Sequence, residues 1–410
     1  MKNKFLGIAL GTTLLGTLAL SLASCKTDGA YEFAPSQDTN ITTTLNIKGF
    51  FGNFEALDKL KADFKYYYPN VTIDYSDIPG PKLSEFLDTN ENNDIFMVSL
   101  DTLSSNVIDH CLDLSTANIY LNDIDNVLLK ANYVNNKLCS IPIGQNVYGL
   151  VVNKTLLSNN GLKLPTTYSE FLNCLSTLND KGYVPVQSDS SKLYTELTFN
   201  MMANLVLNNK NISFDDINNI YNIVDEVMPY TSKDVNATYP SDNYDGAIKN
   251  FFHGDVPFWV CNSEKVSGMK KREKKWEDFS NNPFEYTYIN APIAKDGSYA
   301  YNESWVGFSI NNQSKNIELA KDFMRLLSTS VELNNMANIK RIPSVAKIKK
   351  SLDIYYNIDN PTKIVSKVTN DGSLSSEIIT SWYSNMNNYI NEKITRNEAI
   401  NNFVSCVNNN

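Results

Sequence analysis

Histidine is almost missing from this 410-residue chain, which has only His110 and His253. Imidazole-rich metal clusters and histidine-based nucleophile triads are therefore all but excluded. No G-x-S-x-G, H-E-x-x-H, G-x-x-x-x-G-K or G-x-G-x-x-G occurs, which removes the common signatures of hydrolases, zinc proteases and nucleotide binders. No C-x-x-C pair occurs either. Beyond Cys25 the cysteines are Cys111, Cys139, Cys174, Cys261 and Cys406, an odd and widely spaced set that argues for buried thiols over a disulfide framework or a zinc site. Basic excess is lacking too. With a net charge of -9 the chain offers no face for nucleic acid, and the run Lys270-Lys271-Arg272-Glu273-Lys274-Lys275 reads as a solvated helix face. His253 sits beside a Gly-Asp turn and reads as a turn side chain. A pair of catalytic carboxylates, as in glycoside hydrolysis, would have to be picked from 45 acidic residues, and no pattern singles one out. No catalytic residue, metal ligand or cofactor is designated.

What is present begins with a leader. Lys2 and Lys4 precede an apolar or small run over residues 5–22, the layout of an export signal. Leu22-Ala23-Ser24-Cys25 resembles a bacterial lipobox, which implies that Cys25 is the lipidated first residue of the mature protein. The alternative, an uncleaved membrane anchor, needs a longer apolar run. Residues 26–43 are polar apart from Tyr31 and Phe33 and read as a flexible tether. The remaining body, about 365 residues, is too long for one ordinary core and predicts two domains. No internal repeat and no second membrane span is found in it.

Thr44 to Phe50 alternates as a strand, Leu57, Leu60, Phe64, Tyr67 and Tyr68 follow at helical spacing, and Val71–Tyr75 and Asp94–Val98 are further strands. Strands separated by helices predict parallel pairing in an α/β lobe, with a ligand site beyond the strands' carboxyl ends. Those ends carry Phe50 to Asn53 and Ser99 to Asp101. The stretch Ile141 to Phe171 then reads strand, turn, helix, turn, helix. Asn159-Asn160-Gly161 and Pro165 break it, and Thr167 with Glu170 forms a capping box. Such a segment can carry the chain between lobes. Further strands are predicted over Tyr183–Val186, Val256–Cys261, Tyr286–Ile293 and Trp305–Ile310. Helices are predicted over Tyr168–Lys181, Leu197–Leu207, Ile217–Val227, Ile317–Leu327, Glu377–Ile394 and Asn397–Val407.

Several of these pieces, in order, resemble family 1 extracellular solute-binding proteins, the sugar-binding components of ABC importers related to the maltodextrin-binding protein. Asn153-Lys154-Thr155-Leu156-Leu157, Gly161-Leu162 and Leu164-Pro165-Thr166-Thr167-Tyr168-Ser169-Glu170-Phe171 carry the strongest likeness. Asn93-Asp94-Ile95, the segment Phe252 to Phe258, Trp305 to Ile310, Glu318 to Phe323 and Arg341-Ile342-Pro343-Ser344 agree in order and spacing. The resemblance implies an α/β two-lobe fold of the type II periplasmic-binding-protein kind, with three crossings near residues 145–149, 290–295 and 336–342. Lobe one is then residues 44–146 and 295–338, and lobe two residues 147–294 and 339–410.

It also implies hinge closure around a solute, delivery to an ABC permease, a membrane contact through the lipid anchor, and a monomer with no enzymatic activity. Sugar recognition needs aromatic faces for pyranose rings and carboxylates or amides for hydroxyls. By residue-by-residue likeness the site draws on Phe51, Asn53, Asp101 and Trp305 from lobe one, Asn146 and Tyr148 from the crossing, and Tyr194, Glu264 and Trp382 from lobe two. Trp259, inside an apolar strand, reads as core. Relatives nearest the maltodextrin binder carry a Trp near the position of Glu264 and a Glu near that of Asn146, so the expected solute is a carbohydrate other than maltodextrin. Alternatives in keeping with the residues are a different polar solute, a surface glycan-binding adhesin without transport, and an exported glycan-active enzyme.

Overall fold

The computed structural model describes residues 33–78, 83–89, 92–99, 102–103, 105–188, 193–231, 244–294, 298–300, 303–347, 363–364 and 374–409. Cys25 and Asp101 lie outside them. Two principal sheets organise the chain. The first runs in the order Val71–Asp77, Thr43–Gly49, Ile95–Val98, Gly307–Ile310, Ile141–Pro142. Its first three strands are parallel, as the strand-helix alternation predicts, and Gly307–Ile310 returns antiparallel to both of its neighbours. Helices Leu57–Tyr67 and Ile317–Leu327 cover it, and their apolar stripes (Leu57, Leu60, Phe64; Leu319, Ala320, Phe323, Met324, Leu327) meet the strand residues Leu45, Ile47 and Met97 in one core.

The second sheet runs Tyr286–Asn290, Tyr148–Asn153, Phe258–Asn262, Val186–Ser188, antiparallel except for the last pair. Tyr148–Asn153 is central and buried on both faces, which explains why its sequence is continuously apolar rather than alternating. Its core joins helices Tyr168–Asp180, Leu193–Asn208, Phe214–Val227, Ser376–Ile390 and Arg396–Asn409. The Thr167 capping box is present, Glu170 N donating to Thr167 Oγ1 at 3.3 Å while Thr167 N donates to Glu170 Oε2 at 3.2 Å. Cys111, Cys139, Cys174 and Cys261 are buried thiols. Lys270 pairs with Glu273 at 2.6 Å and lies over the Tyr286 ring, which accounts for part of the basic run.

Three expectations change. The strand read over residues 141–152 is broken into Ile141–Pro142, Gln145–Asn146 and Tyr148–Asn153, each paired with a different partner, because a chain leaving one sheet for another must change hydrogen-bonding neighbours. The segment after residue 338 stays with the first lobe. Val345 and Ala346 pack in its core, Asp125 N donates to Val345 O, and Lys347 N donates to Asp123 O. Leu374 and Ile378 are in the second core, so residues 345–347 belong with the first lobe, past the expected boundary at residue 338. Finally, the stretch from Phe33 is no free tether: Phe33 is buried in the first core and Ser36 is hydrogen-bonded to Asp322.

Candidate functional site

The lobes meet on a two-stranded ribbon. Gln145–Asn146 pairs antiparallel with Glu303–Ser304, Glu303 opposite Asn146 and Ser304 opposite Gln145. Directly opposite residues share a face. One face, Gln145 with Ser304, is buried, and the other, Asn146 with Glu303, is half open. Ile143 N donates to Val306 O and Trp305 N to Gly144 O, extending the pairing toward lobe one. The segment at residues 343–344 is locked on as well: Gln145 N donates to Pro343 O at 2.9 Å and Gln145 Nε2 to Ser344 O at 2.5 Å. Gly144 has a steric reason. A Cβ there would sit 2.1 Å from Ile342 Cδ1 and 3.5 Å from Trp305 Cε3. Toward lobe two, Ser263 is the junction. Its hydroxyl lies 2.9 Å from Val147 N and 3.3 Å from Asn146 Oδ1, and its own N donates to Val147 O at 2.7 Å.

Two side-chain clusters flank this ribbon. On the lobe-one side Phe51 stacks on Phe54 (centroids 5.3 Å apart, planes 13° apart), and Trp305 lies 5.5 Å from Phe51 and 6.4 Å from Phe54. Lys340, in the last turn of the helix Ser330–Lys340, places its ammonium 5.1 to 5.9 Å from all three ring centroids, within cation–π range. The loop bearing Phe51 is held by Tyr75, whose hydroxyl donates to Phe51 O at 2.8 Å. Burial pushes the Tyr75 phenol up to about 12, so it stays a donor.

On the lobe-two side Tyr148 stacks on Phe199 at 4.1 Å, and the Tyr148 and Tyr383 hydroxyls hydrogen-bond. Asn200 Nδ2 donates to Tyr148 O at 2.7 Å and fixes that strand to the helix Leu193–Asn208. Lys265 pairs with buried Glu196 at 3.1 Å. Burial above all, then the Tyr383, Glu303 and Glu196 charges, raises the Tyr148 pKa well above the ordinary phenol value. Tyr383 is raised as well, through burial first and Glu196 next. Both hydroxyls stay protonated, able to donate and accept.

The residues picked from sequence fall into three groups. Phe51, Trp305, Asn146 and Tyr148 are brought together at the ribbon. Asn53 and Glu264 are exposed side chains, Asn53 in the loop after Thr43–Gly49 and Glu264 in the first turn of the helix Ser263–Ser267. Tyr194 and Trp382 are corrections. Tyr194 is buried in the second core with its hydroxyl 2.5 Å from Thr231 Oγ1. Trp382 is fully buried, edge-on to Tyr221 and Phe403, its Nε1 donating to Thr195 O at 3.2 Å. A ring packed on these sides has no face to offer a ligand. Tyr383, one residue on, reaches the cluster instead. The helix Ser376–Ile390 buries Ile378, Trp382 and Met386 at four-residue spacing, and that stripe was the available signal that Trp382 belongs to the core. For Phe54, Glu303, Lys340, Glu196 and Lys265 no local pattern pointed to the site. Among the described residues no cluster of three or more His, Cys, Asp or Glu could hold a metal, and no helix is long and apolar enough to cross a membrane.

A family model, bacterial extracellular solute-binding protein, matches residues 52–331. The chain belongs to that family. This solute-binding protein is 20% identical over 356 residues to the multiple sugar-binding protein of Streptococcus mutans, covering 82% of the present chain and 81% of that one. Solved structures share the two-lobe type II fold. Unliganded RafE of Streptococcus pneumoniae superposes with a TM-score of 0.66 at 17% identity, over 91% of this chain and 99% of RafE. The GacH receptor of Streptomyces glaucescens gives 0.68 at 14%, over 89% and 97%. The ribbon at Gln145–Asn146 is thus the bridge between the two lobes of a solute-binding protein.

Proposed function

We propose that this solute-binding protein is the receptor of an ABC importer that captures a carbohydrate of oligosaccharide size between its lobes and hands it to a membrane permease. The observation that carries the reading is the pairing of an aromatic cluster (Phe51, Phe54, Trp305) with a hydroxyl and carboxylate cluster (Tyr148, Tyr383, Glu196, Glu303) across a ribbon of chain crossings. Apolar ring faces and protonated phenols are what a pyranose presents partners for. The relatives support the class: RafE binds raffinose, and a Bacillus licheniformis sugar transporter binds stachyose. Within this reading Phe51, Trp305, Asn146, Tyr148 and Tyr383 touch the solute, Asn53, Glu264 and Asp101 line the approach, closure is a hinge motion stabilised by the solute's greater affinity for the closed state, no bond is made or broken, and the protein works as a monomer anchored outside the cell through lipidated Cys25.

Full-length protein is expected to carry a saccharide through purification, detectable by mass spectrometry of the denatured sample, and to change tryptophan fluorescence when an oligosaccharide is added. A broad glycan panel that gives neither a fluorescence change nor a thermal shift would overturn the reading, as would turnover of any glycan. Cys25→Ala should release the protein from the membrane fraction.

A further inference from the structure

A buried ion pair on lobe one has been given a second task by the chain that precedes the first strand. Asp322 and Arg325, on the helix Ile317–Leu327, are both buried and paired. Ion pairs of this kind cost desolvation and need every remaining valence satisfied. Here the partners come from residues 33–38. Ser36 N donates to Asp322 Oδ2 at 2.7 Å and Ser36 Oγ to Oδ1 at 2.5 Å, while Tyr68 OH donates to the same carboxylate. Gln37 N donates to Tyr68 Oη at 3.2 Å. On the other side the Arg325 guanidinium lies 5.8 Å from the Phe33 ring centroid and donates to Ala34 O at 3.4 Å. Phe33 itself packs edge-on against Tyr67, with centroids 4.8 Å apart. The helix Leu57–Tyr67 and the helix Ile317–Leu327 are thereby joined to the N-terminal strap by both backbone and side chain.

We infer that residues 33–38 form a clasp that fastens the N-terminal end of the described chain to lobe one and not to lobe two. Phe33 is the eighth residue after Cys25, a chain length of at most about 28 Å. Counted to Thr43, where the first strand begins, the chain length is about 60 Å. Every partner of the clasp belongs to lobe one, so it holds whether the lobes are open or closed, and lobe two is the body that swings. The clasp stands without the transport reading, since its contacts involve no solute; only the oligosaccharide arm of its test rests on that reading.

Hydrogen exchange followed by mass spectrometry on the full-length protein tests it. The Ser36 and Gln37 amides are expected to exchange at least tenfold more slowly than in a free peptide of residues 30–42, equally with and without added oligosaccharide. Phe33→Ala, which removes the ring beneath Arg325, should return them to within about twofold of the free peptide while amides of Ile317–Leu327 stay protected. Ser36→Ala, which keeps the backbone donor, should give an intermediate loss. Free-peptide exchange in the unmutated protein, or unchanged protection in Phe33→Ala, would overturn the clasp.

Discussion

The two lobes are built from different chemistry. Among the described residues lobe one buries four acids, Asp94, Asp123, Asp322 and Glu332, and lobe two buries one, Glu196. Conversely, lobe two buries Tyr148, Tyr194, Tyr221, Tyr286 and Tyr288 with Trp259 and Trp382, whereas Tyr68 is the buried tyrosine of lobe one. The acids of lobe one tie separate segments together: Asp94 accepts from Asn46 N in the first strand and from Ser314 Oγ, and Asp123 from Ser330 N and Oγ at a helix start. The tyrosines of lobe two knit helices to its sheet, and at one edge, Tyr148 and Tyr383, the same chemistry reaches the ribbon. A core made of phenols thus continues, through buried Tyr148 and half-buried Tyr383, to the ribbon. Lobe one is arranged differently: its buried acids lie around an apolar core, and buried Phe54 meets half-buried Phe51 and Trp305 beside the ribbon.

The largest expected break in this contrast is Trp382→Ala. The ring is enclosed by Tyr221, Phe403 and the Thr195 carbonyl, so its loss should destabilise the protein by about 3–5 kcal/mol in denaturant unfolding. A loss below about 1 kcal/mol would show that the second core does not depend on its aromatics. Next come two glycines at matching places. A Cβ on Gly149 would lie 2.2 Å from Ile289 O, and one on Gly307 would lie 2.7 Å from Ile141 O. Both contacts are with backbone, so Gly149→Ala should cost about 3 kcal/mol and Gly307→Ala less, about 1–2 kcal/mol; the opposite order in thermal unfolding would mean that the lobe-one sheet yields less easily than the lobe-two sheet.

Third is Glu332, whose carboxyl is raised from 4.5 to about 7, by burial first and by Asp63 next, against the opposing charge of Lys59 at 3.2 Å. The fold favours its protonated form. Its contribution is therefore fully present below about pH 4.5 and is lost as pH rises through about 7. Glu332→Gln should raise stability by about 2 kcal/mol at pH 8 and leave it nearly unchanged at pH 4.5, which paired melting curves would read; an equal effect at both pH values would remove Glu332 as a titrating group. The smallest effect, and the one that tests the site, is Tyr383→Phe. It deletes one hydroxyl of the pair with Tyr148, and about a fivefold loss of saccharide affinity, about 1 kcal/mol, is expected with stability retained. Unchanged affinity would leave lobe two without a polar contact at this position.

Most of the fold could be read before any coordinates. The helix Ile317–Leu327 is found with the bounds its periodicity predicts, and the strands at Thr43, Val71, Ile95, Phe258 and Tyr286 begin within about two residues of expectation. The site was half legible. Phe51, Asn146, Tyr148 and Trp305 sit on segments whose family likeness is local in sequence. Glu303 and Lys340 did not show themselves, because what makes them relevant is an antiparallel pairing across more than 150 residues and the end of a helix whose apolar positions give no clear stripe. Trp382 and Tyr383 are one helical step apart, about 100°, which is enough to separate a ring in the core from one beside Tyr148.

The clasp at Ser36 and Phe33 also has a bearing on encounter. A protein held at Cys25 would have lobe one within about 28 Å of chain length of that anchor, where a start at Thr43 would allow about 60 Å. A partner in the same membrane would then be met within the shorter span. A few hydrogen bonds to one carboxylate would thereby act on the rate of docking without touching either the solute or the surface that docks.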